Sequence, residues 1–236
     1  VQEGCCVVIA DINEESGYET VNMIKTELTE YNNCISFRKC DVSKQEDIKK
    51  TILHTESLYQ KVNIIFNNAS IILSNDKNLI DTDDYTFDRT YEVNVKGAFN
   101  ICKYGILAFR RHGGGVIINL ASFVSLVGSA ISQISYTSSQ GAILSMTKEL
   151  AAIHAKENIR CIPLCPGHYK TSKMMSMINI PSEKQKRLIH HPMGRFGTTS
   201  EIANAIVFIA SDDASYISGT PFVIDGGLTS TYITPE

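Results

Sequence analysis

The feature that most constrains this fold is a regular alternation of short apolar runs with stretches of helical periodicity. The apolar runs lie at residues 5–11, 34–43, 62–70, 113–122, 159–167 and 221–227. Short runs of this kind, several of them ending in polar residues, are typical of buried parallel strands. Strands that alternate with helices predict right-handed crossovers and a doubly wound parallel sheet, which is an α/β fold.

The helical stretches carry their own boundary signals. Asn13 can cap the first helix, and the acidic residues after it suit the positive end of the helix dipole. Ser43 and Glu46 have the spacing of a capping box for the second helix. The pattern over residues 83–111 predicts one long helix, and a later helix carries Tyr136.

Composition limits the class of protein. The 236 residues include 43% apolar and 20% charged residues, which predicts one globular domain over residues 1–236. A net charge of −3 argues against a nucleic-acid partner. The uncharged run over residues 113–147 is interrupted by polar residues such as Asn119 and Gln133, so no membrane span is expected.

The seven cysteines show no C-x-x-C pair, so no metal site is predicted. Their odd number and mostly apolar surroundings predict reduced, buried thiols in an intracellular protein. No signal peptide is visible, and we expect a cytoplasmic location. An organelle signal in a segment before Val1 would change that expectation.

Polar residues at the ends of the predicted strands are the candidates for a ligand site, because such sheets bind ligands there. A carboxylate at Asp11 can accept hydrogen bonds from an adenosine ribose diol, or it can simply cap the next helix. Asp41 and Val42 end the second strand, where a short acid can meet the adenine amine. The stretch NNAS at 67–70 either lets a ligand approach the backbone or forms a polar turn.

Two hydroxyl groups could hold a substrate oxygen. Ser122 follows a predicted strand and Tyr136 lies on the next helix, so one can donate a hydrogen bond while the other moves a proton. Purely structural roles for both stay open. The stretch CPGHYKT over residues 165–171 makes a sharp turn that admits a ligand close to the backbone. His168 in that turn is either an alternative base or a packing residue.

Together these motifs resemble the short-chain dehydrogenase/reductase family in its single-domain form, and they occur in family order along the whole chain. The matching residues are Asp11, Asp41, Val42, NNAS at 67–70, NVKG at 94–97, NLAS at 119–122, YTSSQ at 136–140, PGHYKT at 166–171 and DGG at 225–227. The resemblance implies a three-layer αβα sheet of the Rossmann type.

The resemblance also implies catalytic roles. In that family a tyrosine donates or accepts the substrate proton, and this role is assigned to Tyr136. The serine that orients the substrate oxygen is Ser122, and Asn94 takes the place of an asparagine that holds a water-linked proton relay. The family's lysine matches position 140, where this chain has Gln140.

A nicotinamide cofactor follows from the same resemblance. An acid at the position of Asp11 favours NAD over NADP, because it would repel a 2′-phosphate. Asp41 and Val42 are assigned to the adenine. The other cofactor contacts that the resemblance implies are Asn68, Ala69, Ser70, Tyr136, Gln140, Pro166, Gly167 and Thr171.

Three departures from the family pattern bear on activity. Its first strand and glycine-rich turn have no counterpart, so we expect about 20–30 further residues before Val1, the length of a strand, a turn and most of a helix. Ser70 replaces a glycine. Gln140 replaces the lysine whose charge would favour the Tyr136 phenolate by roughly 3–4 kcal/mol.

Two functions remain open from the sequence. The first is an oxidoreductase that transfers a hydride between NAD(H) and a small, apolar alcohol or carbonyl substrate. The second is a non-catalytic relative that binds a ligand or partner subunits, which Gln140 and Ser70 would favour. A homotetramer or homodimer is the family expectation.

Overall fold

The computed structural model describes residues 1–177 and 180–232. Its strands are β1 (Val7–Asp11), β2 (Ile35–Lys39), β3 (Ile64–Asn67), β4 (Gly115–Leu120), β5 (Ile159–Pro166) and β6 (Phe222–Ile224). Its α-helices are α1 (Glu14–Glu27), α2 (Gln45–Tyr59), α3 (Asp84–Tyr91), α4 (Gly97–His112), α5 (Ile134–His154), α6 (Ser172–Met177), α7 (Pro181–Leu188) and α8 (Thr199–Ala210). Strands and helices therefore alternate as the sequence predicts.

All strand pairs are parallel, which confirms the predicted α/β class. The strands form two sheets, with the order β1-β2 in one and β3-β4-β5-β6 in the other. In the part of the chain described, β1 and β3 each pair along one side only, and α2 packs on α4. Phe66 on β3 is 39% exposed, which is unusual for a strand in the interior of a layered fold.

The core lies on both faces of β4 and β5. Ile117 and Cys161 face α4 and α5 and pack with Phe109. Ile118 and Ile162 face the opposite side, where the apolar residues of α8 cover them. Successive strand residues point to opposite faces, so these strands are apolar throughout and the fold has three layers.

The helix boundaries confirm one cap and correct another. Asn13 caps α1, because its side chain accepts a hydrogen bond from the Ser16 amide. The predicted capping box of Ser43 and Glu46 is wrong: the N-cap of α2 is Lys44, which makes no side-chain cap bond. Ser43 lies one residue before the N-cap, where its hydroxyl donates to Asp41 Oδ1 at 2.7 Å.

The cysteines are all free among the residues described, but the prediction that they are buried is only partly right. Four are in the core, and burial raises the pKa of Cys102 to about 11 and that of Cys161 to about 12. Cys5 and Cys6 are exposed and Cys34 is half-buried, because they precede β1 and β2 at the edge of the fold. Over residues 1–177 and 180–232, no helix is long and apolar enough to cross a bilayer.

Candidate active site

The polar residues selected from the sequence lie at the carboxyl ends of the parallel strands. Asp11 ends β1, Asn67 ends β3, Ser122 lies two residues after β4, and Pro166 ends β5. Because the strands of the four-stranded sheet run in the same direction, Asn67, Ser122 and Pro166 collect along one edge, where α/β sheets bind their ligands. Asp11 lies at the carboxyl end of the separate β1-β2 pair.

The two predicted hydroxyl groups meet at this edge. Burial raises the pKa of the Tyr136 phenol above its usual value of 10, and the nearby Ser122 side chain opposes that rise. Ser122 is itself buried, and its Oγ also accepts from the Val124 amide at 3.4 Å. Tyr136 is therefore a protonated hydroxyl at neutral pH, with Ser122 as its neighbour.

The main chain of Tyr136 is held by a residue that the sequence did not indicate. Asp76 Oδ2 accepts from the Tyr136 amide at 2.8 Å, and Oδ1 accepts from the Ser135 amide at 2.9 Å. The Ile134 amide donates to the Lys77 carbonyl at 3.0 Å. Asp76, 7% exposed, thus supplies the acceptors that the free amides at the start of α5 need. No local pattern marks an acid in a loop as the cap of a distant helix.

Asn94 lies in a π-helical turn, Glu92–Lys96, which interrupts the long helix predicted over residues 83–111. Its side-chain amide donates to the Ile71 carbonyl at 3.1 Å and to Ser139 Oγ at 3.0 Å, and its oxygen accepts from the Ile71 amide at 2.8 Å. Ser139 in turn donates to the Tyr136 carbonyl at 2.7 Å. The Asn94 side chain therefore links the loop at Ile71 to the Tyr136 helix through Ser139. Such π turns are frequent at functional sites.

Gln140 lies one helical turn after Tyr136 and is 1% exposed. Neither its Oε1 nor its Nε2 has a hydrogen-bond partner among the residues described. An unpaired buried polar group costs roughly 1–3 kcal/mol. An amide that can both donate and accept fits a ribose diol, so the residues present agree with a nicotinamide nucleotide beside Tyr136.

The two acids assigned to the adenosine end both organise the loop after their strand. Asp11 is exposed, and its Oδ1 accepts from the Asn13 amide at 2.8 Å. Burial alone would raise the pKa of Asp41, but hydrogen bonds from the Ser43 hydroxyl and amide lower it below its ordinary value. The Asp41 side chain is therefore a carboxylate at neutral pH.

Most of the other predicted cofactor contacts lie at the carboxyl ends of β3 and β5. Asn68, Ala69 and Ser70 are exposed, while Pro166 and Gly167 are buried. A Cβ on Gly167 would lie 2.8 Å from Asp225 Cα, so only glycine fits at this turn. Two further positions have packing or capping roles: Val42 packs against Gly97, and the Thr171 hydroxyl accepts from the Met174 amide at 3.1 Å.

Comparison with known proteins then decides the family. A family model described as "Enoyl-(Acyl carrier protein) reductase" matches residues 1–229. The chain belongs to the short-chain dehydrogenase/reductase family. An "Uncharacterized oxidoreductase" of Thermotoga maritima is 35% identical over 97% of this chain and 89% of that protein. The "2-(R)-hydroxypropyl-CoM dehydrogenase" of Xanthobacter autotrophicus is 31% identical over 95% of this chain and 88% of that protein.

A solved member of the family has the same fold. The structure named "ElxO with NADP Bound" superposes with a TM-score of 0.85 at 28% identity, over 96% of this chain and 89% of that one. These findings confirm the expected Rossmann-type fold and an oxidoreductase of this family. They favour that function over the non-catalytic alternative, and they leave the choice between NAD and NADP open.

Proposed function

We propose that this protein is an NAD(H)-dependent oxidoreductase that interconverts a small, largely apolar alcohol and its carbonyl compound. The observation that carries the proposal is the proximity of the Ser122 side chain to the Tyr136 phenol, with the unpaired Gln140 amide one turn away. A substrate oxygen placed between the two hydroxyls receives a hydrogen bond from one and exchanges a proton with the other.

Each residue has a separate task. The nicotinamide, when bound, supplies the hydride chemistry. Tyr136 transfers the proton. The hydrogen bonds from its main chain to Asp76 and Ser139 fix the position of its backbone, and so the point from which its side chain extends. Ser122 orients the substrate oxygen. Gln140 holds a ribose hydroxyl but adds no charge, so the Tyr136 pKa stays high and the reaction is slower than with a cation there.

The preference for NAD rests on the charges around β1. Asp11 accepts one amide bond through Oδ1, and its other oxygen has no partner among the described residues. Lys39, which pairs with Asp11 in the strand register, forms an ion pair with Glu14 at 3.3 Å. A 2′-phosphate would therefore approach two carboxylates and a cation that is already engaged, whereas a ribose diol can donate to Asp11.

Titration of the full-length protein with NADH and with NADPH, followed by nucleotide fluorescence, tests this proposal. NADH should bind more tightly, and Asp11→Ala should reduce the difference. A panel of secondary alcohols and ketones then gives the activity, which Tyr136→Phe should abolish. Equal binding of both nucleotides by wild type and Asp11→Ala would refute the assigned role of Asp11. Turnover that survives Tyr136→Phe would refute the mechanism.

We further propose that a second copy of this chain covers the outer face of α4 and α5. Phe99, Leu107 and Ile153 are exposed there, and an apolar groove runs between the two helices. Two identical faces of this kind can bury each other in a symmetric dimer, and repetition gives a tetramer. Light scattering should show an oligomer for the wild type and a smaller species for Phe99→Glu. A monomeric wild type would refute this.

A further inference from the structure

Two cysteines outside the catalytic and cofactor assignments lie side by side at the amino ends of β1 and β2. Cys6 directly precedes β1, and Cys34 directly precedes β2. Val7 pairs with Ile35 in the parallel register, and the Val7 amide donates to the Cys34 carbonyl at 2.7 Å. Continued by one residue, this register places Cys6 beside Cys34. Neighbouring strands lie about 5 Å apart, which is within the Cα separation that a disulfide spans.

The side chains of the two cysteines are close to each other. Residues at paired positions of parallel strands share one face of the strand pair, because successive residues alternate between the faces. The nearby Cys34 side chain is the main cause of a raised pKa of the Cys6 thiol, and burial contributes less. Cys5 also raises the Cys6 pKa, but by a smaller amount. Cys34 is therefore the thiol that interacts most strongly with Cys6.

The phenol of Tyr59, the last residue of α2, lies near both thiols. Burial raises the pKa of this phenol, the Ser36 side chain opposes the rise, and Cys6 and Cys34 add to it. Ser36 lies two residues after Cys34 and so on the same face of β2. One phenol is thus close to three side chains that the register puts on a single face, which agrees with thiols that face each other.

This pair of thiols is reduced and accessible from solvent. Both cysteines are free, Cys6 is exposed and Cys34 is half-buried, whereas Cys102 and Cys161 lie in the core. The raised pKa of Cys6 keeps it protonated at neutral pH, which slows thiol–disulfide exchange without preventing it. A dissolved disulfide can therefore reach this pair but not the cysteines of the core.

We propose that Cys6 and Cys34 form a reversible disulfide with oxidised glutathione as the oxidant, and that this bond ties β1 to β2. The Cys6 thiolate attacks one sulfur of the oxidant, whose S–S bond breaks, and one glutathione thiolate leaves. The Cys34 thiolate then attacks the Cys6 sulfur of the mixed disulfide and releases the second glutathione. Two protein thiols thus lose two electrons and two protons, which end on two glutathione thiols. This inference does not depend on the proposed oxidoreductase function.

Mass spectrometry of the full-length protein in excess oxidised glutathione tests the bond. The wild type should lose the mass of two hydrogen atoms. Trypsin cuts after Lys25 and Arg38, so the oxidised protein should yield two peptides, one with Cys6 and one with Cys34, joined by a disulfide. Cys5→Ser should give the same cross-link, whereas Cys34→Ser should not. A wild type that stays reduced or carries only bound glutathione, or a cross-link that Cys5→Ser abolishes, would overturn the proposal.

Thermal unfolding of the oxidised and the reduced protein tests whether the bond fits the folded strand pair. A disulfide between Cys6 and Cys34 closes a loop of about thirty residues, which should raise the Tm by roughly 5–10 °C. Dithiothreitol should reverse the shift. Cys5→Ser should keep it, and Cys34→Ser should not show it. A Tm that is unchanged or lower in the cross-linked protein would show that the bond does not hold β1 to β2 in their native arrangement, and would refute the proposal.

Discussion

The carboxylate of Asp76 holds the main-chain amide of Tyr136 at 2.8 Å, although sixty residues separate the two in the chain. The bond places a negative charge at the start of α5, where the helix dipole and the free amides favour it. It also fixes the first turn of the helix that carries the proposed proton donor. Asp76 therefore acts on the chemistry through the position of Tyr136.

Asp76→Ala should lower both stability and turnover. The loss of an acceptor for two amides costs about 1–3 kcal/mol of unfolding free energy, measured by chemical denaturation. We expect kcat to fall while KM changes little, and Asp76→Asn, which keeps one acceptor oxygen, to restore part of kcat.

Asp83→Ala is the matched control for Asp76→Ala. Asp83 caps α3 by accepting from the Thr86 amide at 2.7 Å, and it makes no hydrogen bond to α5 among the residues described. It should lose about 1 kcal/mol of stability without a change in kcat. Equal loss of kcat in the Asp76 and Asp83 variants would show that Asp76 contributes only to stability.

Gln140→Met should stabilise the protein without cofactor. The substitution keeps a similar side-chain shape and removes two buried polar atoms that have no described partner, so unfolding free energy should rise by about 1–3 kcal/mol. The dissociation constant for NADH should rise about tenfold because one hydrogen bond is lost. Gln185→Met on α7, where the side chain is exposed, should change neither quantity. Unchanged NADH affinity in Gln140→Met would exclude a contact with the cofactor.

Gln140→Lys should raise turnover by about two to three orders of magnitude. A cation about 5 Å from the phenol favours the phenolate by roughly 3–4 kcal/mol at an effective dielectric near 20. The alkaline midpoint in the pH profile of alcohol oxidation should therefore move down by about 2–3 pH units. Lys148→Gln should leave the profile unchanged, since twelve helical residues span about 18 Å. The same midpoint in wild type and Gln140→Lys would mean that glutamine does not limit the reaction.

The stability of the protein should depend on His168 at mildly acidic pH. Burial holds the pKa of His168 at about 4 against an ordinary value of 6.5. Between these values the unfolded chain binds a proton that the folded protein does not, so the wild type loses stability as the pH falls from about 6.5 to about 4. Above pH 7 this contribution is constant.

Denaturation of wild type and His168→Gln at several pH values measures that contribution. As the pH falls from 6.5 to 4, the unfolding free energy of the wild type should fall by up to about 3 kcal/mol relative to that of His168→Gln. Above pH 7 the difference between the two should stay constant. His190→Gln should follow the wild type, because His190 is exposed. Parallel stability curves for wild type and His168→Gln over this range would contradict the burial of His168.

Much of the fold could be predicted because local patterns specify it. The run at 113–122 contains β4, which the structure places at Gly115–Leu120, and Asn13 caps α1 as expected. Predictions from local patterns were wrong at one helix start and within one long helix. Ser43 has the spacing of a capping residue, but the helix begins at Gln45 with Lys44 as its N-cap, so Ser43 lies one residue too early. The pattern at 83–111 looks continuous, yet it contains the π turn at Asn94.

By itself the sequence determined the order of strands and helices and the edge at which Ser122 and Tyr136 meet. Periodicity and strand direction are local or repeated properties, so they can be read along the chain. Only the tertiary structure decided that Asp76 accepts from the Tyr136 amide and that Gln140 is buried without a described partner. The same holds for the hydrogen bond between His168 and His191. Hydrogen bonds over such separations depend on which side chains the packed layers bring within about 3 Å of each other, and no spacing in the sequence encodes that distance.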